Sequence, residues 1–386
     1  MQCISFKLRF CAFSANVTPK TDKSSERMVI KMGKLKIAVI GVGSISQLHI
    51  QGYLKNKDCE LYAFCDINEQ RLREMGEKYG ITRLYTDKDE MLRDCPEIDA
   101  VSVCTWNSAH AECTIAALNA GKNVLCEKPM AMNAAEAEAM YAAAKKSGKL
   151  LMIGFVRRFG NDCSIAKEFI DAGDFGDIYY GKATYLRRAG APGGWFGDSS
   201  RSGGGPLIDL GVHVIDLTRY LAGNPKPVSV YGATFKKLGD RSHIKSRGNY
   251  VAAGNEQKPV FDVEDLASAL IRFDNGFVLS VEASFSLNIK EDCGTIELFG
   301  TKAGAVLNPE LEIFTEQNGY LTNVSFNAPT ALSFDGLFDN EINHYVACVA
   351  QGLPCRSPAE DGITIMKILD AVYESARTGH EVMIAD

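Results

Sequence analysis

Lys36-Ile37-Ala38-Val39-Ile40-Gly41-Val42-Gly43-Ser44-Ile45-Ser46 is the stretch that decides the fold. Its first five residues form an apolar run of buried-strand type. A glycine turn follows at once, and Gln47 to Leu54 carries a helical pattern. Gly41 allows the tight turn, Gly43 lets the backbone approach a pyrophosphate, and Ser46 is small enough for helix and strand to pack closely. The amides of the turn, those of Ser44 and Ile45 among them, then offer an anion the positive end of a helix.

Outward from this turn the pattern repeats. A second strand, Glu60–Cys65, ends in Asp66, where a carboxylate can accept hydrogen bonds from ribose hydroxyls and repel a 2′-phosphate. That favours NAD over NADP, with Arg71 close enough to complicate the choice. Helices are expected over Glu69–Tyr79, Lys88–Asp94, Ser108–Ala120 and Ala134–Ser147. Strands are expected over Asp99–Cys104, Asn123–Cys126 and Leu150–Ile153. Strands alternating with helices imply a parallel, doubly wound sheet. Glu127-Lys128-Pro129 lies where one of these strands ends, the place where such sheets bind ligands. An amine there can handle a substrate proton; the plainer alternative is a structural pair between Lys128 and an acid.

Beyond about residue 160 the pattern changes. A helix over Asp162–Ala172 precedes strands at Ile178–Leu186, Val228–Phe235, Ala267–Phe273, Phe277–Ser286 and Gly294–Phe299, with a hairpin turn at Asp274-Asn275-Gly276. Strands following one another without helices suggest a mostly antiparallel sheet. Lys236–Pro259 reads as a long surface loop. Gly203-Gly204-Gly205-Pro206 introduces an otherwise apolar helix running to Leu221. On it Asp209, His213, Asp216 and Tyr220 recur at helical spacing and share one face. Burying such a stripe unpaired costs a few kcal/mol, so it must meet partners or a ligand. Asp209, one turn before His213, is expected to orient the ring and raise its basicity.

Bulk properties narrow the class. The chain has 386 residues, enough for two domains, with 46% hydrophobic residues and a mean hydropathy of -0.08. A net charge of -6 argues against nucleic acid as a partner, and no apolar run approaches membrane-spanning length. Twelve scattered cysteines, with no Cys-x-x-Cys pair, read as free thiols of a reducing, cytoplasmic compartment and supply no metal site. Residues 1–33 read as a disordered extension, interrupted by Lys7 and Arg9 where a signal peptide needs an unbroken apolar core. The expected domains are 34–156 for the dinucleotide and 157–386 for substrate and oligomerisation.

The Gly41–Ser46 turn, Glu127-Lys128-Pro129, the Gly154–Phe159 segment and the Gly203–Tyr220 helix with its Asp-x-x-x-His together resemble the glucose–fructose oxidoreductase / inositol dehydrogenase (Gfo/Idh/MocA) family of NAD(P)-dependent oxidoreductases. The resemblance implies an N-terminal Rossmann domain and a C-terminal α/β domain with a large open, mainly antiparallel sheet that forms a homodimer or homotetramer interface. It implies catalytic roles for Lys128, Asp209 and His213, and cofactor contacts from Thr105, Asn107, His110, Glu127 and Lys128 in addition to the glycine turn. Trp106 stands where the family's cofactor loop has proline. Arg157, Arg158, Tyr185, Arg187, Trp195 and Asp198 lie on segments flanking the cleft and are candidates, with Lys128, Asp209 and His213, for substrate contact. The expected reaction passes a hydride between the nicotinamide and a secondary alcohol of a sugar, inositol, sugar acid or glycoside. His213 or Lys128 serves as base. Two other readings use the same residues: redox-neutral glycoside cleavage with a retained NAD, and a non-catalytic NAD-dependent sensor.

Overall fold

The computed structural model describes residues 33–241, 243–245, 260–307, 310–327, 329–331 and 333–385. The expected N-terminal extension and most of the expected 236–259 loop lie outside them. Residues Lys34–Asp386 form one compact unit built on two sheets.

In the first sheet, β1 (Leu35–Ile40), β2 (Cys59–Cys65), β3 (Leu84–Tyr85), β4 (Ala100–Val103), β5 (Asn123–Glu127) and β6 (Leu151–Gly154) run in the order β3-β2-β1-β4-β5-β6, all parallel. Helices α1 (Ser46–Lys55), α2 (Glu69–Tyr79), α3 (Lys88–Asp94), α4 (His110–Asn119) and α5 (Ala134–Ser147) connect them. Strands β4 and β6 are buried throughout, as their apolar sequences require. The chain reverses direction across the sheet between β1 and β4, and ligand crevices in such sheets open at the carboxyl ends there.

After α6 (Asn161–Asp171), the second sheet takes over. Strands β7 (Ile178–Leu186) and β8–β14 (Pro227–Phe235, Leu266–Phe273, Val278–Ser284, Cys293–Gly300, Ala303–Leu307, Glu312–Gln317 and Tyr320–Val324), with a short final β15 (Val382–Met383), lie in the order β14-β13-β12-β11-β7-β10-β9-β8-β15. All its pairings are antiparallel except β7 with β10. One face is covered by α8 (Val212–Leu221) and α10 (Ala359–Thr378), with a short α7 (Ser199–Ser202) preceding α8. The other face shows Tyr179, Tyr231, Leu270 and Phe314 to solvent.

The last long segment returns to the first sheet. Helix α9 (Phe334–Gln351) packs on α1, with Ile342 filling the space over Gly52, Asn343 bonded to Asn56, and the Tyr345 hydroxyl 3.4 Å from the Val101 carbonyl. Among the described residues no helix is long and apolar enough to cross a membrane.

Candidate active site

The glycine turn has the expected form. Gly41 sits at φ +86°, and a Cβ there would lie 2.7 Å from the Cys104 carbonyl oxygen, so β4 presses the turn from behind. At Gly43 a Cβ would meet nothing nearer than an Arg71 nitrogen at 4.0 Å, leaving an open cradle beside the amides of Ser44 and Ile45, which are partly exposed. Asp66 braces this cradle. Its carboxylate accepts from the Val42 amide and from the Asn68 amide, both at 2.8 Å, and Arg71 Nη1 stands 3.9 Å away. A space filled by neither side chain nor backbone, at a helix N-terminus with an acid at its rim, fits a dinucleotide's pyrophosphate and ribose.

Lys128, at the end of β5, reaches across to the segment expected to be one helix. That segment is not a continuous α-helix: Leu207–Gly211 forms a π turn and α8 begins only at Val212. Lys128 Nζ donates to Asp209 Oδ1 at 2.8 Å and to the Asp209 carbonyl at 2.9 Å. Glu264 holds the start of the turn, accepting from the amides of Gly205 and Leu207 and from the Tyr373 hydroxyl. The π turn carries one extra residue, which swings the side chains downstream of it by about 100° around the helix axis.

The expected four-residue stripe is therefore divided, and its internal coupling is corrected. Asp209 faces Lys128 and does not hydrogen-bond His213, whose buried Nδ1 has no partner among the described residues. Nor is the ring made more basic. Burial first, then the positive charges of Lys128, Arg157 and Arg187, hold His213 well below the ordinary imidazole range. Asp216 turns to the interior, where it binds Arg158 in a bidentate pair at 2.6 and 2.9 Å.

Arg158 is accordingly not a substrate ligand. It is wholly buried, with Asp216, Asp361 and the Arg356 carbonyl taking up its guanidinium, and it lies over the Tyr220 ring at 4.6 Å. Enclosed in this way, it presents no donor to a cleft. Its neighbour Arg157 differs, pairing loosely with Asp162 at 3.7 Å and lining an open cleft of about 240 Å³ with Tyr185, Arg187, Asp292 and Thr295. The Arg157 and Arg187 charges act on His213, and Val214 beside it lines the cleft, so the cleft lies near His213 although Lys128, Asp209 and His213 are not part of its lining. Trp195 stacks on Phe196, and Asp198 caps α7 and pairs with Arg201; the cleft lining contains neither.

The remaining expected cofactor contacts divide the same way. Thr105 bonds its own loop at the Trp106 carbonyl, and Asn107 donates to the Ser202 carbonyl at 2.7 Å, tying the β4 loop to α7. His110 is buried with its ring nitrogens 2.7 Å from the Pro129 carbonyl and 3.2 Å from that of Thr105, so it steadies the strand ends rather than presenting itself to a ligand. Glu127 is also buried, and its Oε1 lies 2.7 Å from His49 Nε2 while Oε2 accepts the Lys128 amide. His49, Glu127 and the buried Glu341 bring one ligating atom each within 4.8 Å of one another, a grouping that sequence reasoning missed. The residues are far apart along the chain. One signal was available: Glu341 interrupts an apolar face made by Phe338, Ile342 and Tyr345 at helical spacing.

Comparison with known proteins agrees with this geometry. Residues 35–155 match the model of an oxidoreductase family with an NAD-binding Rossmann fold, and residues 164–306 match the GFO/IDH/MocA C-terminal domain. The chain belongs to the Gfo/Idh/MocA family. It is 37% identical over 352 residues to the D-glucoside 3-dehydrogenase of Escherichia coli (strain K12), covering 90% of this chain and 97% of that protein. It is also 37% identical over 189 residues to the myo-inositol 2-dehydrogenase of Thermotoga maritima, covering 49% of this chain and 55% of that one. A solved levoglucosan dehydrogenase in complex with NADH superposes with a TM-score of 0.79 at 27% identity, covering 92% of this chain and all of the other. The protein is thus an oxidoreductase with a nicotinamide-dinucleotide fold.

Proposed function

We propose that this protein is an NAD-dependent dehydrogenase that oxidises a secondary alcohol of a sugar, inositol, sugar acid or glycoside, with a glycoside favoured by the D-glucoside 3-dehydrogenase likeness. The observation that carries the proposal is the Lys128–Asp209 pair, set beside a neutral histidine and an open cleft. Gly41, Gly43, Ser44, Ile45 and Asp66 hold the dinucleotide, and the doubly engaged Asp66 carboxylate favours NAD over NADP. When bound, the nicotinamide supplies the hydride acceptor.

Lys128 has three ammonium hydrogens, and Asp209 takes two at its carboxylate and carbonyl. The third is left for a substrate oxygen, where it stabilises negative charge as it develops. His213, kept uncharged by burial and by its cationic neighbours, accepts the hydroxyl proton. Asp209 acts by orienting Lys128. Arg157, Tyr185 and Arg187 contribute guanidinium and aromatic surfaces suited to hydroxyls and to the apolar face of a sugar. We assign residues 34–156 to the dinucleotide and 157–386 to substrate and self-association. The outer sheet face bearing Tyr179, Tyr231 and Leu270 is the surface for a homodimer or homotetramer. Every described cysteine is a free thiol, in keeping with a cytoplasmic enzyme.

The test is a panel of polyols, sugars and glycosides with NAD, followed by NADH absorbance and by mass spectrometry. Steady NADH accumulation with a keto product is expected. Glycoside cleavage without net NADH would replace this reading with redox-neutral chemistry, which the named dehydrogenase relatives do not favour. Binding with no conversion across the panel would make the protein a sensor.

A further inference from the structure

Behind Lys128 lies a buried polar group that the proposed reaction does not use. Its members come from three elements: His49 from α1, Glu127 from β5 and Glu341 from α9, all buried. A directed chain of hydrogen bonds fixes the histidine. The Tyr53 hydroxyl lies 2.6 Å from Ser102 Oγ, Ser102 Oγ lies 3.2 Å from His49 Nδ1, and His49 Nε2 lies 2.7 Å from Glu127 Oε1. With Glu127 accepting at the far end, every step is satisfied by a neutral imidazole protonated at Nε2. Glu127 is thus held at one oxygen by His49 and at the other by the Lys128 amide.

Glu341 has no such anchorage. Both its oxygens are buried and have no hydrogen-bond partner among the described residues, and its side chain is wholly inaccessible. Among the described residues no lysine or arginine pairs with it or with Glu127; the Lys128 ammonium is committed to Asp209. Two buried carboxylates within 4.8 Å, with no lysine or arginine paired to either among the described residues, repel one another too strongly for both to be ionised. The one whose oxygens receive no donors is the one that keeps a proton.

We propose that Glu341 is a neutral carboxylic acid packed beside the Glu127 carboxylate, and that His49, by its hydrogen bond, and Glu341, by packing uncharged within 4.8 Å, are positioning residues that keep Glu127, and through it Lys128, in place. The positioning part rests on the proposed hydride transfer; the protonation part does not. Burial, then the Glu127 charge, push the Glu341 carboxyl well above its ordinary range, and burial, then the same Glu127 charge, push up the Cys104 thiol. A metal ion fits less well. A tetrahedral ion with bonds of about 2.1 Å spaces its ligand atoms about 3.4 Å apart, whereas the His49 and Glu127 atoms are already at hydrogen-bond distance.

The experiment has two arms on the full-length protein. Infrared spectra at pH 8 should contain the C=O band of a protonated carboxylic acid, absent from Glu341→Gln; lack of the band in the parent protein overturns the protonation. In steady-state assays Glu341→Leu should lower kcat about 10- to 100-fold with NAD affinity unchanged, the size expected when a catalytic group is displaced. Glu341→Gln, neutral and of the same shape, should recover most of that loss. Full kcat in Glu341→Leu overturns the positioning role. Equal loss in both variants, or stoichiometric metal in the parent that Glu341→Gln lacks, shows that a charged carboxylate is required and overturns the neutral acid. The infrared arm needs no turnover, so it answers even if the panel reveals no dehydrogenase activity.

Discussion

Two ion pairs less than one helix apart, Lys128–Asp209 and Arg158–Asp216, look alike in sequence and do different work. Both join a basic residue near a strand end in the first sheet to an aspartate of the 207–221 segment. The arginine pair is sealed, with side-chain exposures of 0% and 1%, and Asp361 then links it to Arg219, so α8 and α10 are locked together. The lysine pair keeps 16% and 11% exposure and one free donor hydrogen, which leaves room for a ligand. A group sealed inside its own protein is architecture; a group left partly exposed near a cleft is available for chemistry.

Removing one partner from each pair should break this comparison most visibly. Arg158→Leu strands Asp216 in the interior and should cost about 3–5 kcal/mol in denaturant unfolding, while the folded fraction keeps its KM. Lys128→Met, which leaves the less enclosed Asp209 unpaired, should cost less in unfolding than Arg158→Leu and lower kcat by about 10²–10³-fold, the usual worth of a lost transition-state donor. If instead Lys128→Met unfolded the protein and Arg158→Leu only slowed it, the assignments would be exchanged.

The pH dependence sharpens the contrast further. An unfolded imidazole takes up a proton near pH 6.5, whereas His213 stays neutral to lower pH in the folded protein. The unfolded state therefore binds more protons beneath about pH 6.5, and stability should decline as pH falls through that window. His213→Asn should flatten the slope by up to about one proton, measured by denaturation at several pH values. His110, lowered chiefly by its burial, accounts for a remaining slope of the same sign. The smallest effect expected is at the cofactor rim. Asp66→Asn should narrow the preference for NAD over NADP by about tenfold, or about 1.4 kcal/mol, in paired kcat/KM measurements.

Much of this was legible in the chain because local rules govern it. The β7 strand at Ile178–Leu186 and the helix at Lys88–Asp94 fall where the pattern along the chain put them, and the glycine turn announces its own geometry. Strand-end position and family likeness pointed to Lys128 and His213, whose roles in the reaction are proposed. What escaped was non-local or had no compositional mark. A π turn has no residue signature, so helical spacing alone placed Asp209 and Asp216 on one face. Arg157 and Arg158 are equivalent as letters, and only the arrival of Asp216, Asp361 and the Arg356 carbonyl around one of them separates their fates.

The return of α9 to α1 has a consequence for biosynthesis. The apolar face around Gly52 stays uncovered until Ile342 arrives, and Val101 waits equally long for the Tyr345 hydroxyl. On the ribosome, where folding starts from the N-terminus, the first sheet is begun early and completed late. A chain cut before residue 334 would therefore lose the lid of its nucleotide half as well as its own tail, and should be recovered as aggregate rather than as a working dinucleotide module.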